Sequence, residues 1–218
     1  MNRAACSVMS SLLALLLAIA LPAGAAQEDA AKPDSAKGQT LFSTGDPAHN
    51  IPACIACHGA AGNSTIAQNP TLAGQHVAYL RKELGDFAKG ARNNPVMSPI
   101  AKALSEADIR NLAAYLAMQK TAPGAAHDKD TLALGKKIFR GGIAEKGVPA
   151  CAACHSADGH GIPVEFPRLA GQHQEYTIAQ LTAFRAGARS NSEQMRTIAG
   201  RMSDQEIRAV ADYVAGLR

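Results

Sequence analysis

The chain is 218 residues long, enough for one large domain or two small ones, with a formal net charge of +4, no Trp and 4% aromatic residues. Its basic residues are scattered, with no dense Lys/Arg run and no interleaving of basic and aromatic side chains. That distribution excludes a nucleic-acid-binding protein.

The amino terminus carries a short positive start (Met1 to Arg3), an unbroken apolar run from Leu12 to Leu21, and the small-residue sequence Ala23-Gly24-Ala25. This order is that of a cleaved signal peptide. As a helix, Leu12 to Leu21 spans about 15 Å against a bilayer core of roughly 30 Å, which argues against a retained anchor. The expectation is a signal peptide at residues 1–25 and a mature protein exported to the periplasm. Cleavage would remove Cys6 and Arg3, leaving Cys54, Cys57, Cys151 and Cys154 and a net charge of +3. That charge divides as +1 before residue 123 and +2 from there on, too even to name a partner.

The rest of the chain is one unit written twice. The phrase Pro-Ala-Cys-x-x-Cys-His stands at Pro52–His58 and again, 97 positions later, at Pro149–His155. The same offset aligns Gly38 and Phe42 with Gly135 and Phe139. It also aligns Pro70-Thr71-Leu72-Ala73-Gly74-Gln75-His76 with Pro167-Arg168-Leu169-Ala170-Gly171-Gln172-His173. Tyr79, Phe87, Gly90 and Arg92 meet Tyr176, Phe184, Gly187 and Arg189; after one inserted residue, Met97, Ser105 and Tyr115 meet Met195, Ser203 and Tyr213. Two copies are too few for a solenoid, so the organisation is a duplicated domain, at 26–120 and 129–218, with a Pro/Gly/Ala-rich linker at 121–128.

Taken in order, each half predicts helices and no sheet. A short helix carries Leu41 and Phe42, or Ile138 and Phe139. A longer one after Leu-Ala-Gly-Gln places Tyr79, Leu80, Leu84 and Phe87 near one face. The last opens on a capping box, Ser105 with Asp108 and Ser203 with Glu206. Behind the boxes, Ile109, Leu112, Ala113 and Leu116, and likewise Ile207, Val210, Ala211 and Val214, follow the i, i+3, i+4, i+7 pattern of a buried helical stripe. Tyr115 and Tyr213 are expected to pack near Phe42 and Phe139. Domains this small, with so few large aromatics, have a thin core that something else must fill.

Cys-x-x-Cys-His is the attachment signal of a c-type haem. Two thiols on one helical turn can reach the two vinyl groups of a porphyrin, and the next residue carries an imidazole to the iron. A redox-active Cys-x-x-Cys would want a thioredoxin-like βαβ setting. Structural disulfides suit an exported chain but leave the two histidines unexplained. A zinc site would need ligands from two separate domains. Two covalent haems, one per domain, are therefore expected, on Cys54, Cys57, Cys151 and Cys154, with His58 and His155 as proximal ligands. Met97 and Met195, in matching polar loops before the last helix, are the expected sixth ligands; a thioether raises the potential, as suits electron transfer. The duplicated His76 and His173 are the rival ligands. Met202 reads as core, Met118 has no counterpart, and His49, His127 and His160 read as surface residues.

On these residues the chain resembles the dihaem cytochrome c4 family. The likeness rests on the two Cys-x-x-Cys-His sites, the two Pro-x-Leu-Ala-Gly-Gln segments, the two methionines and the two terminal helices. It implies an all-α fold of two tandem class I cytochrome c domains, His/Met haems related by a pseudo-twofold, and propionates near the domain interface. It also implies that the carbonyls of Pro70 and Pro167 orient the proximal imidazoles. The second methionine loop departs from the first by one extra residue and by lacking the Pro at position 95. The implied role is electron carrier rather than enzyme, passing electrons from a quinol-oxidising complex to a terminal oxidase. Such a role is compatible with peripheral membrane association and expects no small-molecule substrate. The competing readings are the dihaem subunit of a flavocytochrome-type dehydrogenase and a dihaem peroxidase, which would need an open iron position. Arg92 and Arg189 are weighed evenly between pairing with haem propionates and lying solvated at a helix end.

Overall fold

The computed structural model describes residues 32–218; the predicted signal peptide at 1–25 lies outside them. The first half runs through α1 (Ser35–Thr44), α2 (Ile55–His58), α3 (Val77–Lys89), α4 (Met97–Ala103) and α5 (Glu106–Ala117). The second repeats the order as α6 (Lys129–Gly141), α7 (Ala152–His155), α8 (Gln174–Arg185), α9 (Glu193–Gly200) and α10 (Asp204–Ala215). Among the described residues, β-structure is limited to isolated bridges such as Asp46 with Ile51 and Ile143 with Val148.

Local chemistry sets the helix starts. The Asp34 carboxylate accepts the amide hydrogens of Ala36 and Lys37 to open α1, and Asp128 accepts those of Asp130 and Thr131 to open α6. Both predicted capping boxes form, at Ser105/Asp108 and Ser203/Glu206. The predicted apolar stripe of α5 is buried at Ile109, Leu112, Ala113 and Leu116, and that of α10 at Ile207, Val210, Ala211 and Val214. The first and last helices of each half cross closely, because Gly38 and Gly135 stand at the crossings. A Cβ on Gly38 would lie 2.1 Å from Asn111 O, and one on Gly135 would lie 2.1 Å from Ala209 O. Next to each crossing an aromatic pair locks the helices, with ring centroids 5.5 Å apart for Phe42–Tyr115 and for Phe139–Tyr213. Two cores result, one around Phe42, Leu80 and Leu112, the other around Phe139, Met202 and Val210.

Two helices stand where the sequence suggested polar loops. Met97 is the first residue of α4, and Met195 lies in the first turn of α9. Both helices are short, of 7 and 8 residues, and in each a side chain just upstream accepts the methionine's own amide hydrogen. Asn94 Oδ1 accepts from Met97 N at 2.9 Å, and Ser192 Oγ accepts from Met195 N at 3.4 Å.

The two halves form one compact unit, Lys32–Arg218. Segment 121–128 has no regular secondary structure, yet its ends are held. Asn63 donates to Lys120 O and accepts from Ala122 N, and the fully buried Asp212 accepts from His127 N. The two Leu-Ala-Gly-Gln segments meet face to face across the seam. Gln172 Nε2 donates to Thr71 O while Gln172 Oε1 accepts from Thr71 N, both at 3.0 Å, and Gln75 treats the backbone of Arg168 in the same way.

Candidate functional site

The two Cys-x-x-Cys-His phrases fold alike. Each makes a single helical turn in which the histidine amide donates back to the first cysteine's carbonyl, at 2.9 Å for His58 to Cys54 and 2.9 Å for His155 to Cys151. That turn gathers two thiols and an imidazole on one side of the chain. The four cysteines are unpaired with one another. Burial raises the Cys54 thiol pKa and pushes that of Cys151 up to about 11. A redox-active Cys-x-x-Cys thiol is shifted the other way, and among the described residues neither pair sits in a βαβ unit, which together disfavour the thioredoxin-like reading.

Both imidazoles are buried and held by one nitrogen. His58 Nδ1 lies 3.1 Å from Pro70 O, and His155 Nδ1 lies 2.9 Å from Pro167 O. A carbonyl only accepts, so Nδ1 carries the hydrogen and the Nε2 lone pair is available to a metal. Among the described residues nothing is hydrogen-bonded to either Nε2. Burial, partly opposed by these carbonyl bonds, lowers both histidine pKa values and keeps the rings neutral, the form that ligates iron.

The structure brings every predicted site residue to one continuous cavity of about 1000 Å³, which runs through both halves. Cys54, Cys57, His58 and Met97 line its first part, and Cys151, Cys154, His155 and Met195 line its second. Ligand pockets measure roughly 300–1,000 Å³, so the space is large for a protein of this size. Much of the wall is apolar, from Phe42, Leu80, Leu84 and Phe87 to Leu181 and Phe184. Such a space suits large flat apolar groups, and each part offers two thiols, a free imidazole nitrogen and a thioether to them. The thin core expected from the sequence is this cavity.

The rival histidines do not line it. His76 Nε2 lies 2.9 Å from His160 O, and His173 Nε2 lies 2.9 Å from Ser64 O, so both rings cross the seam to the other half. Met202 is buried in the second core, Met118 is exposed, and His49 is exposed beside Asp46.

The solvated reading of Arg92 and Arg189 is overturned. They are 9% and 7% exposed and sit at the centre of the seam, each stacked on an aromatic ring of its own half, Phe87 or Phe184, at 4.5 and 4.4 Å. Arg92 donates to Glu83, to Tyr176 Oη and to Gln180 Oε1. Arg189 donates to Glu83, to Tyr79 Oη and to Gln180 Oε1. Burial pushes the Tyr79 phenol up to about 12, so it stays a neutral partner. Sequence reasoning missed Glu83, because at the offset of 97 its counterpart is Gln180 and the repeat gives no sign of it. The repeated Tyr and Arg positions were the available signal, since two duplicated polar pairs in so small a domain need a shared place to bury them. Both arginines also line the cavity.

Comparison with known proteins agrees with this geometry. The family model described as Cytochrome c matches twice, over residues 35–120 and 132–218. A cytochrome c4 of Thiocapsa roseopersicina is 46% identical over 168 residues, covering 75% of this chain and 86% of that protein. A protein of Stutzerimonas stutzeri named thiosulfate dehydrogenase electron acceptor is 41% identical over 188 residues, covering 84% of this chain and 87% of its own. The crystal structure of reduced recombinant cytochrome c4 from Pseudomonas stutzeri superposes with a TM-score of 0.78 at 37% identity, covering 85% of this chain and all of that one. The chain belongs to the cytochrome c family and, within it, to the cytochromes c4: it is an all-α dihaem electron carrier, not an enzyme, with two covalently bound c-type haems.

Proposed function

We propose that this protein is a periplasmic carrier that moves electrons between respiratory complexes, from a quinol-oxidising complex to a terminal oxidase. On this reading residues 1–25 are removed on export, and the haem domains are 26–120 and 129–218, joined by 121–128. Among the described residues no helix is long and apolar enough to cross a membrane. Cys54 and Cys57 hold one haem and Cys151 and Cys154 the other. His58 and Met97 would ligate the first iron, and His155 and Met195 the second.

The observation that carries this reading is the matched pair of buried imidazoles. Each has Nδ1 fixed on a proline carbonyl and Nε2 free, in a cavity that a methionine of the same half also lines. When bound, each haem iron supplies a one-electron ferric/ferrous couple. The chain's part is to fix its ligands and exclude water. Pro70 and Pro167 set the ring orientation, while Asn94 and Ser192 pin the backbone at the methionines. If Met97 and Met195 both ligate, neither iron would keep an open position for a peroxide, which disfavours the peroxidase reading.

A second reading follows from the 41% identity to a thiosulfate dehydrogenase electron acceptor. The electron donor would then be a dehydrogenase rather than a quinol-oxidising complex, as in the flavocytochrome-type alternative. The deciding experiments are the visible and far-red spectrum of the oxidised holoprotein, with haem counted per chain, followed by reduction trials with each donor. Two haems and a far-red thioether band scaled to two support the ligand set. A band worth one haem, or a high-spin component, overturns at least one methionine. Faster reduction by a purified dehydrogenase than by a quinol-oxidising complex moves the second reading to first place.

A further inference from the structure

Asn93 and Asn191 hold the same place in the two halves, each four residues before its methionine. Their surroundings differ. Asn93 is exposed, and its Nδ2 donates to Gly90 O of its own loop at 3.1 Å. Asn191 is half-buried against α3 of the first half. Its Nδ2 donates to Glu83 Oε1 at 3.0 Å and to Asp86 Oδ2 at 2.7 Å. Its Oδ1 accepts from Arg189 Nε at 3.0 Å, and its carbonyl accepts from Lys82 Nζ at 3.2 Å. Lys82 is itself paired with Asp86 at 2.6 Å.

The cause is visible in the two middle helices. α3 presents Lys82, Glu83 and Asp86 to the seam, whereas α8 has Ala179, Gln180 and Ala183 at the matching positions. A methyl group cannot cross a seam to hold a loop. Ser192 follows Asn191 directly and caps the amide of Met195, so the anchored asparagine and the methionine belong to one short rigid stretch. Asn94 caps Met97 in the same way, but the side chain before it holds only its own loop.

We infer that Lys82, Glu83 and Asp86 are positioning residues for Met195: the first domain braces the second domain's methionine, and Met97 has no such brace. The inference rests on the proposed ligation of iron by Met195. Displacing Met195 requires this stretch to move, and moving it breaks hydrogen bonds to charged groups in a half-buried site. Around Met97, Asn93 and Asn94 bond only within their own exposed stretch, and the seam contacts of Arg92 upstream are matched in the other half by those of Arg189, so the asparagine is the difference. In the native protein Met195 is therefore the harder of the two to displace by an external ligand.

The test is an imidazole titration of the oxidised holoprotein in a Met97→His background, where the far-red thioether band reports Met195 alone. Asn191→Ala and Asp86→Ala are expected to tighten imidazole binding at the second haem roughly tenfold to a hundredfold. Asp86→Asn keeps an acceptor for Asn191 and is expected to restore most of the difference. The mirror variant, Asn93→Ala in a Met195→His background, is expected to shift imidazole binding at the first haem by less than about twofold. Equal shifts in the two backgrounds, or unchanged binding in Asn191→Ala, overturn the brace. If an Ala variant fails to retain haem, Lys82→Ala removes one edge contact and is read the same way. Absence of any far-red band in the Met97→His parent overturns the ligation by Met195, and the brace with it. A full band that every variant leaves unmoved overturns the brace alone.

Discussion

Gln172 and Thr71 lie 101 residues apart in the chain and are joined by two hydrogen bonds of 3.0 Å, one in each direction. The carboxamide of one half thus pairs with a peptide unit of the other as a strand neighbour would. Gln75 and Arg168 repeat the arrangement at 3.0 and 2.9 Å. Both glutamines are buried and the backbone groups they satisfy are partly so, which makes each lost partner costly.

Truncation of either side chain should therefore loosen the seam. Gln172→Ala leaves both polar groups of the Thr71 backbone without partners and is expected to cost about 1–3 kcal/mol. Gln75→Ala should cost a similar amount. Urea unfolding of the holoprotein checks this. The double variant should lose roughly the sum of the two, because the pairs share no partner. A loss confined to one of the glutamines would mean that the seam is held mainly on one side of the pseudo-twofold.

Among the described residues Glu83 is the one carboxylate paired with the buried Arg92 and Arg189, and its Oε2 accepts from both. Glu83→Gln keeps the shape and removes the charge. Two guanidinium groups would then face only neutral oxygens, with Gln180 already shared between them. Breaking a buried ion pair from one side costs about 3–5 kcal/mol. The prediction is a loss of that order on chemical unfolding. Arg189→Gln made in the Glu83→Gln background should recover part of it by removing one unmatched charge. Recovery is the informative outcome, since a packing defect would not be relieved by a second polar substitution.

How far the sequence carried the fold can be judged at particular residues. The pairing of Phe42 with Tyr115 and of Phe139 with Tyr213 was legible, because the aromatics recur at fixed places in a repeat and on helices with clear 3.6-residue periodicity. So were both capping boxes, where two side chains three positions apart carry the whole signal. Every candidate site residue lines the common cavity, since the motif fixes local spacing and the repeat fixes the rest. The helices α4 and α9 were not legible: at 7 and 8 residues they are too short to show periodicity, and the residues that bond their first amides are an Asn and a Ser, which also suit turns. The seam was not legible either. Whether Arg92 meets water or the Tyr176 and Gln180 side chains depends on where α8 of the other half lies, and neither periodicity nor spacing within one half holds that information.

His76 gives the seam a dependence on pH. Burial lowers its pKa, and the Arg168 guanidinium adds to the effect, against the opposing bond to His160 O. The unfolded chain takes up this proton near the ordinary imidazole value of about 6.5, whereas the folded protein takes it up only at lower pH. Between those values the unfolded state binds more protons, so acid favours unfolding. The contribution is fully present above about 6.5 and is lost as pH falls through the folded value. His76→Gln keeps a donor for His160 O and cannot titrate. Urea midpoints measured at pH 7.5 and pH 5 should differ less for His76→Gln than for the parent. An identical pH dependence in both proteins would assign the acid sensitivity to other groups.

Gly135 is repeated in the sequence as the partner of Gly38, and the structure supplies the reason. Helix α6 crosses α10 so closely that a Cβ at Gly135 would lie 2.1 Å from Ala209 O and 2.8 Å from Tyr213 Cβ. The nearest atoms include backbone of a helix whose neighbouring residues are fully buried, so nothing flexible can give way. Gly135→Ala should push the two helices apart and disturb the Phe139–Tyr213 pair beside them. Overpacking of this kind costs about 1–3 kcal/mol, or more where backbone must shift. Gly141 lies on the same helix with nothing near its Cβ position. Gly141→Ala is therefore the control, expected to be neutral or slightly stabilising through helix propensity. Thermal unfolding of the two holoproteins separates them: a clear fall in Tm for Gly135→Ala beside an unchanged or raised Tm for Gly141→Ala confirms that close approach, not helix propensity, requires the glycine. Equal shifts in the two would place the helices further apart than the structure has them.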